Sequence, residues 1–246
     1  MHPEVASIPK TNPTVSLVIP CFNEAGNLKT LFERASSLVQ ENPGVEVIFV
    51  NNGSVDESEA ILRHLSRDTS RISVVTVSVN QGYGFGIKAG LKQAKGDLVG
   101  WTHADLQTDP MDVLIGLEAS KTESGSVVIK GRRTGRPFSD VFFTLGMGAF
   151  ETLLFRTPLT DINAQPTLFS QSLLPEVLSG PDDFSLDLYT MVIAQKRGFR
   201  QVRFPVKFGP RFSGSSKWNT SMGARIKFIS RTISFSFKLS KKLRSK

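Results

Sequence analysis

The residues best able to do chemistry in this chain fall into four polar clusters. These are Cys21-Phe22-Asn23-Glu24, Asn51-Asn52-Gly53-Ser54, the glycine-rich run from Asn80 to Gly86, and His103-Ala104-Asp105-Leu106-Gln107. The last is the most telling. In an extended chain residues 103, 105 and 107 point the same way, offering an imidazole, a carboxylate and an amide oxygen. Hard divalent ions such as Mg²⁺ and Mn²⁺ take oxygen ligands, keep several waters and bridge to substrate phosphates. The imidazole tilts the choice towards Mn²⁺. A lone Asp after a strand is more often a turn or cap residue, but three companion clusters reverse those odds.

The clusters matter because of the elements that must carry them. Apolar, β-branched runs at Thr14–Pro20, Val45–Val50, Ile72–Val79 and Asp97–Thr102 read as strands. Between them, helical spacing over Asn27–Gln40, Asp56–Arg67 and Gly86–Ala94 gives helices joined by short links. Such alternation predicts a mostly parallel α/β sheet with right-handed crossovers. Ligands bind such sheets beyond the carboxyl ends of the strands, and each cluster lies at such an end. Further on, Val127–Lys130 reads as a strand, Asp140–Phe155 as a helix and Asp161–Ser170 as a loop then strand. Leu186–Lys196 reads as a helix, Gln201–Phe208 as a strand and residues 209–223 as a Gly/Pro/Ser-rich loop.

Gly82, Gly84, Gly86 and Gly90 imitate a dinucleotide fingerprint, which belongs in the first βαβ unit with an acidic residue ending the next strand. Here the run follows the third strand, so it is read as a tight turn and helix start that need small residues.

Composition narrows the classes further. The 246 residues are 39% hydrophobic and 21% charged, which excludes wholesale disorder, and the single Cys21 excludes a disulfide framework and fits a reducing compartment. The formal charge of +8 is uneven: Leu188–Lys246 holds 15 Lys or Arg and no acidic residue, against 15 basic and 22 acidic side chains before it. No apolar run reaches membrane-spanning length and the N-terminus carries no apolar leader core, so the expectation is a cytoplasmic protein. On a helical wheel Met222, Ile226, Ile229, Ile233 and Phe237 form one face flanked by Lys227, Arg231, Lys238 and Lys242. That pattern suits a basic amphipathic helix on an anionic membrane surface, or one that packs on its own domain. Nucleic-acid binding is not expected, since the basic tail lacks interleaved aromatics. The expected organisation is an arm at 1–13, a catalytic domain at 14–223 and the basic segment at 224–246. Oligomeric state is left open.

In order, IPCFNE, NNGS, NQGYGFGIKAGLKQAKGD, HADLQTDP and Arg211-Phe212-Ser213-Gly214-Ser215-Ser216-Lys217 resemble the motifs of family 2 glycosyltransferases of the GT-A fold, above all the dolichyl- and polyprenyl-phosphate sugar transferases. The resemblance runs from about Val15 to Lys217. It implies a Rossmann-like, mostly parallel sheet flanked by helices and an inverting, metal-dependent transfer from a nucleotide diphosphate-sugar. Lipid phosphate is the favoured acceptor. A sugar hydroxyl in surface polysaccharide or lipopolysaccharide synthesis is the alternative, as is a non-catalytic nucleotide-sugar-binding relative.

By the same resemblance Pro20, Phe22, Asn23, Glu24, Asn52, Gly82 and Ala104 line the nucleotide-sugar pocket. His103, Asp105 and Gln107 hold Mn²⁺ or Mg²⁺, and Arg211, Ser216 and Lys217 close over the diphosphate. Arg133, helped by Arg132 and Arg136, meets the acceptor phosphate. Asp187 is the candidate base for a hydroxyl acceptor, with Asp161 second. Two positions depart from the family pattern: Asn51-Asn52 stands for Asp-Asp, and His103 stands for the first Asp of the metal motif. The first exchanges a carboxylate for an amide that can still bond a base edge; the second removes one negative charge from the metal site.

Overall fold

The computed structural model describes residues 14–67, 69–123, 125–136, 138–213 and 222–244. The arm at 1–13, Ser216 and Lys217 lie outside the described residues. The chain runs β1 (Val15–Cys21), α1 (Ala25–Glu41), β2 (Val45–Asn52), α2 (Ser58–Leu65), β3 (Ile72–Val77), α3 (Tyr83–Leu91), β4 (Leu98–Trp101) and α4 (Asp112–Ser120). It continues with β5 (Val127–Thr134), α5 (Phe138–Phe155), β6 (Thr167–Ser170), α6 (Leu174–Leu178), α7 (Ser185–Lys196), β7 (Arg200–Lys207) and α8 (Met222–Arg244).

The strands form one seven-stranded sheet in the order β3-β2-β1-β4-β6-β5-β7. All pairings are parallel except those of β6, which runs against both β4 and β5. The near-continuous apolar strands follow from burial on both faces. Leu17, Ile19, Val47 and Phe49 pack with α1 on one side. Val18, Ile48 and Val50 face a second cluster containing Ile87, Leu186, Val192 and Leu239.

Several boundaries differ from the sequence expectation. α3 begins at Tyr83, three residues early, because Gly82 takes φ +118° and turns the chain straight into the helix. A side chain there would also meet the Asp182 carbonyl at 2.3 Å. α4 was not anticipated; it packs Gly116 against Phe204 and Ile129 beneath β5 and β7. The C-terminal helix forms, but the face turned to the body differs from the predicted stripe. Ser236, Leu239 and Ser240 are buried, whereas Phe237 is exposed and meets Phe150 edge-on at 5.8 Å. Ile229 and Ile233 are half-buried, and the side chains of Met222 and Ile226 lie outside those described. On the buried face Ser236 gives its hydrogen to the Thr232 carbonyl at 2.8 Å and lies 3.4 Å from buried Glu151 of α5, and Arg231 pairs with Asp183 at 3.0 Å.

Candidate active site

The carboxyl ends of β1, β2 and β4 lie side by side, and their loops interlock through polar groups. Asn23, at φ +57°, donates its backbone N–H to Ser54 Oγ at 3.1 Å, and its side-chain oxygen accepts from the Val55 N–H at 2.9 Å. Glu24 N–H donates to Ser58 Oγ at 2.9 Å and Ala25 N–H to Asp56 at 3.2 Å. Burial pushes the Glu24 carboxyl above its ordinary value, against the pull of its bond from Asn27. Pro20 and Phe22 flank this turn, half-buried.

Asn51 supports the second loop, accepting from the Ser54 N–H at 3.1 Å and donating to Glu59 at 3.3 Å. Asn52 donates to the Gly82 carbonyl at 3.0 Å, which joins the second cluster to the third. Its Oδ1 is buried and has no partner among the described residues, and the same holds for Asn27 Oδ1. A buried, unspent acceptor is costly, so each marks a place where a ligand donor would be welcome. Gly86 is required just here: a Cβ would lie 2.7 Å from the Asn52 side chain.

The loop after β4 is turned by Leu106 at φ +56°. Ala104 is buried beneath it. Asp105 is 4% exposed; one carboxylate oxygen accepts from the Gln107 N–H at 3.2 Å and the other meets Arg211 at 2.9 Å. Gln107 turns away, donating to the Gly209 carbonyl at 3.1 Å. His103 places Nε2 2.9 Å from the Tyr83 hydroxyl. His103 Nε2 and the Gln107 amide nitrogen are thus bonded to other groups, while the Gln107 oxygen, the atom a hard ion would take, is not used by that bond. Among the described residues no three His, Cys, Asp or Glu side chains gather as a metal cluster. Asp105 by itself fits a hard cation that takes its remaining ligands from phosphate and water.

Behind His103 lies a buried polar chain that sequence reasoning missed apart from Asp187. Gln165 donates to Tyr83 Oη at 3.4 Å and to Asp187 at 2.9 Å. Lys130, fully buried, reaches Asp187 at 3.2 Å and Thr167 Oγ1 at 2.5 Å, and Thr167 donates to Gln165 Oε1 at 3.0 Å. Tyr83 stacks on Phe184 at 4.5 Å. Burial pushes the Tyr83 hydroxyl well up, reinforced by the Asp187 charge, and pushes His103 down against the pull of Asp105 and Asp187. Burial also lowers Lys130 to about 8, despite Asp187 beside it.

The arginines stand at the ends of β5 and β7. Arg133 donates Nε to Asp161 at 2.8 Å, and its backbone N–H donates to the same carboxylate at 2.8 Å. Arg136 lies 3.5 Å from that carboxylate, and the Arg133 guanidinium sits 5.1 Å above the Phe208 ring. Arg132 is exposed. Burial raises Asp161, but the Arg133 bonds and charge outweigh it and leave the group below its ordinary value. Arg203 joins this group from β7, donating to the Thr160 carbonyl at 2.6 Å. A lysine in a strand and a glutamine before a proline carry no local signal of such roles.

Residues 16–169, well over half the chain, match the model of glycosyl transferase family 2. The chain belongs to that family. It is 29% identical over 214 residues to an undecaprenyl-phosphate 4-deoxy-4-formamido-L-arabinose transferase of Edwardsiella ictaluri, covering 85% of this chain and 64% of that protein. An uncharacterized glycosyltransferase of Synechocystis sp. is 30% identical over 214 residues, covering 83% and 64%. The chain thus spans just under two thirds of the length of these relatives. Among solved structures, glucosyl-3-phosphoglycerate synthase from Mycobacterium tuberculosis, crystallised with Mn²⁺, uridine diphosphate and glucosyl-3-phosphoglycerate, superposes with a TM-score of 0.68 at 17% identity, covering 93% of this chain and 80% of that one. That likeness establishes the GT-A fold. Among its described residues this member of glycosyl transferase family 2 has no helix long and apolar enough to cross a membrane.

Proposed function

We propose that this glycosyltransferase moves a sugar from a nucleotide diphosphate-sugar to a polyprenyl phosphate, with inversion, at the cytoplasmic face of a membrane. One observation carries the choice of acceptor. A hydroxyl acceptor needs a base to take its proton, and both candidate carboxylates are already engaged. Asp187 is buried against Lys130 and Gln165, and Asp161 is bound to Arg133 and Arg136. A phosphate acceptor arrives ionised and needs no such base. It needs cations: Arg132 is exposed, and Arg133 and Arg136, paired with Asp161 without ligand, would turn from that carboxylate to the phosphate oxygens, which a guanidinium fork suits.

On the donor side Asn23, Glu24 and Asn52 would bind base and ribose, with Asn52 Oδ1 accepting from a ligand N–H or O–H. Asp105 would hold a divalent ion, Mn²⁺ or Mg²⁺, and such an ion supplies positive charge to the departing diphosphate. Arg211, joined by Ser216 and Lys217, would neutralise the same charge. The acceptor oxygen attacks the anomeric carbon from the face opposite the leaving group, the new C–O bond forms as the old one breaks, and the nucleoside diphosphate departs. The names borne by the undecaprenyl-phosphate relatives support the lipid acceptor. The exposed Lys238 and Lys241 of α8 support contact with anionic lipid.

The test offers radiolabelled sugar nucleotides with undecaprenyl phosphate in detergent and Mn²⁺. Lipid-linked product that disappears with Arg133→Ala supports the reading. Transfer only to oligosaccharide hydroxyls overturns the acceptor, and no turnover with any donor overturns the enzyme.

A further inference from the structure

We propose that His103 is a hydrogen-bond donor to the sugar nucleotide through Nδ1–H, and not a metal ligand, because a one-way relay of buried hydrogen bonds occupies its Nε2. This rests on the reading of the β4 edge as the donor site, yet the relay itself belongs to this chain alone and is measured without substrate.

The direction follows from which groups can only donate. The Lys130 ammonium has no acceptor lone pair, so Thr167 Oγ1 accepts from it at 2.5 Å and turns its own hydrogen to Gln165 Oε1 at 3.0 Å. That fixes the Gln165 amide with its nitrogen outward. The nitrogen donates to Asp187 at 2.9 Å and to the Tyr83 oxygen at 3.4 Å. Tyr83 has one hydrogen and two neighbours that could take it; we assign it to His103 Nε2 at 2.9 Å, because Asp187 already accepts from Lys130 and Gln165. A nitrogen whose lone pair accepts a hydrogen bond cannot bind a cation with it. The neutral ring then carries its proton on Nδ1, which has no partner among the described residues, and His103 is only partly buried. An unspent N–H two residues from Asp105, at the carboxyl end of β4, suits an oxygen lone pair on diphosphate or on sugar. Lys130, Thr167, Gln165, Asp187 and Tyr83 are positioning residues that act through this ring.

Long-range ¹⁵N–¹H NMR of the full chain reads the tautomer directly. There are three histidines, and the signals lost in His103→Asn identify this one. The expected spectrum has protonated Nδ1 and unprotonated Nε2, collapsing to a tautomer mixture in Tyr83→Phe. A proton on Nε2 in the native protein overturns the proposal, and that spectrum decides even if a variant fails to fold. Mn²⁺ titrated by calorimetry gives a second readout. His103→Asn should keep affinity within about twofold, whereas losing part of a metal site costs roughly tenfold or more; such a loss in His103→Asn overturns the assignment. Weaker binding of uridine or guanosine diphosphate to His103→Asn places the acceptor on phosphate. Weakening confined to the corresponding nucleotide-glucose places it on the sugar, and no weakening of either overturns the donor role.

Discussion

A guanidinium nitrogen of Arg211 lies 2.9 Å from the carboxylate of Asp105, so the segment after β7 reaches back across the sheet edge to the end of β4. Without ligand, the group best suited to hold a cation is neutralised by the group best suited to grip a diphosphate. Nucleotide and metal together would part the two, each taking the partner it fits. Arg211→Ala should therefore act in opposite directions on two measurements. Mn²⁺ affinity, by calorimetry, should hold or rise because Asp105 is freed. Turnover should fall by about 10²-fold, the typical cost of one lost electrostatic stabiliser.

The Lys130–Asp187 pair gives a prediction about stability. Removing one partner of a buried pair leaves an uncompensated charge, at a cost of about 3 kcal/mol. With Lys130 replaced, Asp187 is the partner left buried as the stranded charge. Urea unfolding should find Lys130→Met strongly destabilised and the Lys130→Met/Asp187→Leu double variant partly restored. Equal destabilisation of both would show that the pair contributes through shape alone.

Glu151 links stability to pH. Burial raises its carboxyl from 4.5 to about 7, with the Ser236 bond pulling weakly the other way. Between those values the folded chain holds a proton that the unfolded chain has lost, so stability falls as pH rises through the window. Glu151→Gln should raise the Tm above that of the native chain at pH 8. The gain should shrink as pH falls and vanish below pH 4.5.

Gly86→Ala tests the contact between the second and third clusters. The new methyl would lie 2.7 Å from the Asn52 side chain, which must move and release the Gly82 carbonyl. Nucleoside diphosphate affinity should drop about tenfold, roughly the worth of one hydrogen bond to a ligand. The α3 helix should persist by circular dichroism, because alanine favours it.

For α8, deleting the helix would uncover Leu239 and unbalance Glu151, so charge reversal is the cleaner probe. Lys238→Glu with Lys241→Glu leaves the buried face intact. It should reduce sedimentation with phosphatidylserine vesicles at low salt, each basic residue being worth about 1 kcal/mol there. Unchanged sedimentation would remove α8 from any membrane contact.

Much of this architecture is legible in the sequence, and the reason is local. β1, β2 and β4 are apolar runs that stop abruptly at polar residues, so the strand ends and Asn23, Asn52 and Asp105 announce themselves together. What stays hidden depends on distant chain. Lys130 looks like an outward-facing strand residue, yet β6 inserts beside β5 and carries Thr167 to it. Asp187 stands out in the sequence as a candidate base, but its bonds to Lys130 and Gln165 come from distant chain. α4, nine residues with a glycine at Gly116, has too weak a stripe to stand out, and only the space beneath Phe204 explains it. The C-terminal stripe misleads for a similar reason: the inward face of α8, with Ser236, Leu239 and Ser240, meets α5 and the body, which are far away in sequence.

The reversed strand β6 sets a distance as well as a topology. Because it runs against its neighbours, its beginning, and not its end, arrives at the edge where β4 and β5 finish. One short stretch of backbone therefore serves both halves of the site: Asp161 secures Arg133, and Gln165, four residues on, secures Tyr83 and through it His103. In the proposed reading the gap between donor and acceptor would be gauged by this length of main chain, and adding or removing one residue between 161 and 165 should uncouple the binding of either partner from the reaction between them.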